Sequence, residues 1–438
     1  MILKVKNAKN LQGIVKAPSS KSYSHRAVIL ASLAKGESKL SNVLLSEDVI
    51  SSINVCKLLG ANITQKDDVL VVKGTGGNLH NSSEGIIDLG NSGTTLRLIT
   101  SISGLSDNSV TLSGDKSLQT RPMGPLLKSL ESLGVITESV NNNDKAPIKV
   151  YPGYEGGLTS ISGSISSQFI SSILISGPLS SKGVELSVLP DFVSKPYVNM
   201  TIDIMNKFGV NIERLEYNKH NDCEKPIKSC AIEKFLIKPN SYKSTDYIVE
   251  GDYSSASYLL SACAICGGEV TVTDLFEDSK QGDKLILNIL FKMGCEVICS
   301  EDKVTLKSDG NLKGVNVNLS NAPDLICTVA VLASLAEGET IISGVKHGRL
   351  KETDRISTCC EELKKLNVNL IENEDGMVIE GGVSDGEVES HHDHRLAMAF
   401  SLIGLKNNVV IKDGEVFNVS FPNFIEAMDE IGIDLELE

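Results

Sequence analysis

Two carboxylates in this sequence stand where proton chemistry could be tuned. Asp324 opens a nearly all-apolar run, NAPDLICTVAVLA, and Glu352 lies in KETDR between Lys351 and Arg355. Partial burial and neighbouring cations set the proton affinity of such groups, which general acid and base catalysis requires. Asp48, Asp354 and Asp393 occur in SEDV, KETDR and HHDHR. For these three the common use of an acidic residue, in the first turn of a helix, is the expected one. His25, His347, His391, His392 and His394 lack metal-ligand spacing, and a His on a polar face is usually structural, so no metal is expected.

The basic residues are as unusually placed. Ser19–Gly36 reads SSKSYSHRAVILASLAKG, a hydroxyl-rich front carrying Lys21 and Arg26 that runs into a helix apolar on almost every side. The free N–H groups of such a helix start favour an anion, and the two cations add full charges there. One such stretch alone reads equally as a capped core helix with two solvated cations. The design recurs in LGNSGTTLR, GSISSQF, EGDYSSAS, NAPDLICT and HHDHR, and TRP, SKPY and GRLKETDR begin the amphipathic helices. Lys21, Arg26, Arg97, Arg121, Lys195, Arg349, Lys351, Arg355 and Arg395 are thereby gathered at helix starts. Cations there oppose the helix dipole, and an anionic ligand resolves the conflict. The chemistry expected is proton movement on a highly anionic substrate.

The elements that position these residues repeat along the chain. Six amphipathic helices end in a short turn that enters an alternating strand, at Gly60, Gly134, Gly209, Gly294, Asn367 and Gly432. Six buried helices, each followed by a turn and a strand, alternate with them, so the repeating unit is βαβαββ. With 438 residues, of which 41% are hydrophobic, there is enough chain for more than one core. The expected fold is α/β, two similar domains of three units each around buried parallel helices. One domain is expected over residues 1–20 and 250–438, completed by the N-terminal strand ILKVKNA, and the other over 21–249, with an active-site cleft between them. A net charge of −14 disfavours nucleic acid or a membrane surface as partner. The ten cysteines lie mostly in apolar runs without CxxC spacing and read as reduced thiols. The N-terminus has no signal or transit character, so a cytoplasmic protein is expected.

SSKSYSHR, LGNSGTTLR, SSQF, SKPY, EGDYSSAS, KETDR and DHRLAMAF together resemble the enolpyruvyl transferase family, with matches from Lys21 to Pro422. The resemblance implies the same two-domain fold, like an inverse α/β barrel. The implied activity is transfer of the carboxyvinyl group of phosphoenolpyruvate to the 5-hydroxyl of shikimate 3-phosphate, on the route to chorismate and aromatic amino acids, by a monomer without metal or organic cofactor. It further implies Asp324 as proton acceptor, Glu352 as proton donor and Lys21 as a contact to both substrates. Shikimate 3-phosphate contacts map onto Lys21, Ser22, Arg26, Ser166, Ser167, Gln168, Ser194, Asp324 and Lys351. Those of phosphoenolpyruvate map onto Lys21, Gly93, Arg121, Gln168, Arg355 and Arg395. Two positions depart from the pattern: Val419 stands where a Lys is usual, which puts phosphoenolpyruvate affinity in question, and His347 where an Asn is common. Three alternatives remain open. A sister transferase acting on UDP-N-acetylglucosamine usually carries a Cys in the loop that here reads GDKSLQTRP, and an RNA 3′-phosphate cyclase would need nucleotide-binding features. A binding protein without activity would be exposed by a turnover assay.

Overall fold

In the computed structural model, residues 1–216 and 232–438 are described, and they fall into two compact units. The first joins Met1–Ser20 to Glu250–Glu438 and the second is Lys21–Val249. Each has its own hydrophobic core.

The second unit contains helices α1 (Lys21–Leu33), α2 (Glu47–Leu58), α3 (Gly93–Ser103), α4 (Gly124–Glu131), α5 (Ser167–Ser176) and α6 (Lys195–Lys207). The first contains α7 (Tyr253–Cys266), α8 (Leu285–Lys292), α9 (Ile326–Ser334), α10 (Arg355–Lys365), α11 (His394–Ile403) and α12 (Phe424–Asp429). Odd-numbered helices are the buried ones: every residue of α7 and α9 is out of solvent. A helix apolar on all sides can sit only inside a core. Even-numbered helices bury one face. The turns after the amphipathic helices need a left-handed residue, and Gly60, Gly134, Gly209, Gly294, Asn367 and Gly432 all have positive φ, Asn being the side chain that best tolerates it.

The strands form six four-stranded sheets, three per unit. Each has one parallel pair and, beside it, two antiparallel pairings. Ile86–Asp88, for example, lies parallel to Val110–Ser113, and Ile148–Val150 with Thr137–Ser139 completes that sheet. Three sheets borrow a strand from distant chain. Ile2–Val5 lies between Val409–Lys412 and Leu435–Leu437, giving the last strand the antiparallel partner it lacks in sequence. Leu11–Lys16 runs parallel to Gly268–Thr273, and Tyr247–Ile248 parallel to Lys35–Ser41. The N-terminal segment thus serves two sheets of its unit, a division the sequence reading left unassigned.

One expected helix start moves. Asp324 does not open α9; it sits in a 3-10 turn, Pro323–Leu325, and α9 begins at Ile326. Pro323 presets the tight turn and displaces the carboxylate from the helix proper. The eight described cysteines are free thiols, all but Cys299 buried. No described helix is long and apolar enough to cross a membrane.

Leu3 is fully buried and seated against Gly414, where an added Cβ would meet its own Cβ at 2.4 Å. Leu3→Ala should therefore cost about 2–5 kcal/mol. Scanning calorimetry should show a thermal midpoint lower by several degrees; an unchanged midpoint would mean that the N-terminal strand does not hold the first unit together.

Candidate active site

In the first unit the chemistry-bearing residues converge on Arg355, the first residue of α10, whose side chain is 1% exposed. Its Nη1 donates to Asp324 Oδ1 at 2.8 Å and its Nη2 to Glu352 Oε2 at 2.6 Å. Its Nε donates to Asp393 Oδ2, also at 2.8 Å. One planar guanidinium therefore holds three carboxylates in fixed directions, which a point charge could not do. Burial opposes its charge, but Asp393, Glu352 and Asp324 together hold its pKa well above the ordinary value. Asp324 is shared further: Arg395 Nη2 donates to its Oδ2 at 3.1 Å, and Lys351 Nζ stands 3.5 Å from its Oδ1.

The local sequence explains these positions. Asp354 caps α10 by accepting from Ser357 N at 3.0 Å and also accepts from Arg349 Nη1 at 2.9 Å. Asp393 caps α11 by accepting from Arg395 N at 2.9 Å, and Thr353 Oγ1 donates to it at 3.2 Å. Both are the helix-start carboxylates expected of them, yet Asp393 is also the third anchor of Arg355, a role that no local pattern announces. His347 is buried, and burial followed by the Lys351 charge pushes its pKa down to about 4, so the ring is neutral.

Asp283, in the turn before α8, was missed by sequence reasoning. It is buried, accepts from Ser254 Oγ, and its turn packs against the turn of Asp324. Burial, then repulsion from Asp324, raises its pKa to about 7. Its only sequence signal is a polar QGD ahead of an apolar helix, which many surface turns share.

In the second unit Lys21 opens α1, and its Nζ donates to Asp48 Oδ2 at 3.0 Å. Arg26, one turn further, is 1% exposed. It donates to Thr201 Oγ1 at 2.7 Å, to the Ser22 carbonyl at 2.9 Å and to the Tyr197 carbonyl at 3.2 Å. Among the described residues no carboxylate pairs with it. Burial lowers its pKa to about 10, against the opposing influence of Tyr23 and Tyr197. Gly93 opens α3 so close to Arg121 that a Cβ on it would lie 2.5 Å from Nη1. Arg121 also donates from Nη2 to Asn91 Oδ1. Gln168 bridges two elements, accepting from Arg97 Nη1 at 2.6 Å and donating to Thr94 Oγ1 at 2.9 Å. Ser166 caps α5 beside Ser167, accepting from Gln168 N at 3.3 Å. Ser194 precedes α6 with φ 56°, a left-handed backbone that costs a non-glycine residue about 1 kcal/mol or more and tends to mark functional turns.

Within the second unit the structure places Lys21, Ser22, Gly93, Ser166, Ser167, Gln168 and Ser194 at or next to helix starts, with Arg26 more than one turn inside α1 and Arg121 in the loop before α4. Within the first it brings Asp324, Lys351, Glu352, Arg355 and Arg395 into one ionic cluster. The gathered positive charge is less free than the sequence suggests. At least six of the nine cations are paired with the chain's own carboxylates: Lys21 with Asp48, Lys195 with Glu233, Arg349 with Asp354, and Lys351, Arg355 and Arg395 with Asp324. Lys195 and Arg349 are thereby committed to structural pairs. The dipole conflict read from sequence is answered largely from within, because the acidic residues of neighbouring helix starts lie beside the cations.

The unfolded value of an Asp lies near 3.9. Folded Asp283 therefore keeps a proton that the unfolded chain loses between about pH 4 and 7, and its contribution to stability is whole below that window and lost as pH rises through it. Asp283→Asn removes the dependence. Its thermal midpoint relative to the unaltered protein should rise from pH 5 to pH 8 in calorimetry; an equal offset at both would refute a raised pKa.

The family model described as EPSP synthase (3-phosphoshikimate 1-carboxyvinyltransferase) matches residues 5–428. A 3-phosphoshikimate 1-carboxyvinyltransferase of Methanobrevibacter smithii is 66% identical over 437 residues, covering both chains completely. One of Methanothermobacter thermautotrophicus is 52% identical with the same coverage. Among solved structures, an EPSP synthase from Acinetobacter baumannii, 26% identical, superposes with a TM-score of 0.78 over 99% of each chain. With a match to nearly the whole chain and relatives far above the level of chance likeness, the chain belongs to the EPSP synthase family.

Proposed function

We infer that the chain transfers the carboxyvinyl group of phosphoenolpyruvate to the 5-hydroxyl of shikimate 3-phosphate and releases phosphate, as its family membership indicates. The observation that carries the reading into chemistry is that Asp324 and Glu352 sit on two nitrogens of one buried guanidinium. Addition of the hydroxyl to the vinyl group needs a base at the hydroxyl and an acid at the vinyl carbon; elimination returns a proton to the departing phosphate and takes one from the methyl group. Asp324 serves as the acceptor and Glu352 as the donor, and their charges stabilise the cationic character that develops at the central carbon. Arg355 fixes the separation between them.

The anionic groups of the substrates require cations and amides. Arg26, buried with only neutral partners, is suited to a carboxylate or phosphate that completes its charge balance. Lys21, Ser22, Ser166, Ser167, Gln168, Ser194 and Lys351 complete the shikimate 3-phosphate contacts. Gly93 and Arg121, with Lys21, Gln168, Arg355 and Arg395, take phosphoenolpyruvate. Val419 lies half-buried in the 3-10 turn Gly414–Val419. Lys412, the nearby residue that could replace the usual ammonium, has an exposed side chain engaged with Glu387 at 2.5 Å. Phosphoenolpyruvate affinity in this chain therefore rests on Lys21, the arginines and the helix-start amides. A cytoplasmic monomer acting on free small molecules completes the reading.

Release of phosphate should require both substrates together; release from either alone, or none from the pair, refutes the function. Asp324→Asn and Glu352→Gln should each lower kcat by roughly 10²–10⁴-fold with the thermal midpoint held within a few degrees. A kcat within threefold of the unaltered enzyme would remove that residue from its role.

A further inference from the structure

His25 has no part in the mechanism above, yet it is fully buried at the start of α1, one residue before Arg26. Its Nδ1 lies 2.8 Å from Ser52 Oγ on α2. Ser52 Oγ lies 2.7 Å from Thr95 Oγ1 on α3, and Thr95 Oγ1 lies 2.7 Å from Ser92 Oγ, the N-cap of α3. Ser92 Oγ is 3.4 Å from the backbone carbonyl of Asp48 and also accepts from Thr95 N at 3.3 Å. All four side chains are at most 1% exposed. Among the described residues, His25 Nε2 is buried without a hydrogen-bond partner.

Counting protons gives this chain a direction. Thr95 Oγ1 also lies 3.4 Å from the Asp48 carbonyl, so five contacts share four candidate protons, three from hydroxyls and one from the ring. If Nδ1 carries the ring proton, His25 donates to Ser52, Ser52 to Thr95, Thr95 to Ser92, and Ser92 to the Asp48 carbonyl, so four of the five are made. The opposite tautomer would bury an unbonded N–H at Nε2 and leave three protons for the five contacts, the costlier arrangement. Burial keeps the ring neutral, lowering its pKa to about 3, so the count is not disturbed near neutral pH.

The chain ties together the starts of α1, α2 and α3. It ends on the backbone of Asp48, whose side chain holds Lys21, and on the cap beside Gly93, where an added Cβ would lie 2.5 Å from Arg121 Nη1. We propose that the buried chain His25, Ser52, Thr95 and Ser92 is a positioning device that fixes the α3 start, and through Gly93 sets the affinity for the phosphoenolpyruvate phosphate. These are positioning residues: they act through the cap and need not touch the substrate. The proposal rests on the function inferred above for the Gly93 and Arg121 subsite.

Thr95→Val keeps the shape of the side chain while removing its contacts to Ser52, Ser92 and the Asp48 carbonyl, leaving the two serines without their shared partner. The KM for phosphoenolpyruvate should rise roughly tenfold or more, with the KM for shikimate 3-phosphate within twofold. Thr95→Ser, which restores the hydroxyl, should return the phosphoenolpyruvate KM to within threefold of the unaltered enzyme. Equal changes in both KM values, or a loss confined to the thermal midpoint, would overturn the proposal. If the unaltered protein turns over neither substrate, the inferred function is at fault. In that case binding of inorganic phosphate to the unaltered protein and to Thr95→Val decides the chain by itself: weaker binding in the variant supports it, equal binding overturns it.

Discussion

The first unit's site depends on one buried guanidinium. Arg355 is almost completely removed from water, and a cation so placed is costly unless its charge and its N–H groups are answered. Asp324, Glu352 and Asp393 answer them from three stretches of chain. Asp324 comes from the turn before α9, Glu352 from the loop before α10 and Asp393 from the cap of α11. The fork of donors makes the three carboxylates mutually dependent in position, and with three of them around one guanidinium the loss of any one still leaves its charge answered. The two carboxylates assigned to proton transfer thus owe their placement to an interaction that also holds three helix starts together.

The second unit works under a complementary constraint. Its Arg26 is as deeply buried as Arg355 but is surrounded by a hydroxyl and backbone carbonyls, with no carboxylate pair among the described residues. Lys21 has its charge answered by Asp48. The contrast is between a cation answered by three carboxylates and one held by uncharged oxygens. Repetition of one βαβαββ unit makes this possible, since each copy delivers two helix starts with free N–H groups and caps that can be altered without disturbing the sheets.

Much of this was legible in the residues. The turn glycines, with Asn367 in the glycine position, revealed the repeat, because only a few side chains accept a left-handed backbone. The unpaired terminal strand and the loose ILKVKNA pointed to each other because a sheet edge seeks a partner. Asp324 and Glu352 stood out by their surroundings in sequence. Pairings between distant helix starts were not legible. Asp48 with Lys21, Asp393 with Arg355 and the buried Asp283 depend on side-chain directions that only the packed structure fixes. The same limit explains the overestimate of free positive charge: the sequence displays cations and acids separately, and their neutralisation is a property of the fold. His25 illustrates it from the other side, since a His on a helix front reads as ordinary until its neighbours Ser52 and Thr95 are seen.

The measurement closest to the central claim is steady-state turnover of Arg355→Lys, with folding checked by circular dichroism. Lysine keeps the positive charge but cannot present separate, fixed donors to Asp324, Glu352 and Asp393. If the fork sets the spacing of the two proton-transfer groups, kcat/KM should fall by roughly 10²-fold or more in a folded protein, since small misplacements of reacting groups cost about that much. A folded variant with kcat/KM within threefold of the unaltered enzyme would show that charge alone suffices and would contradict the account.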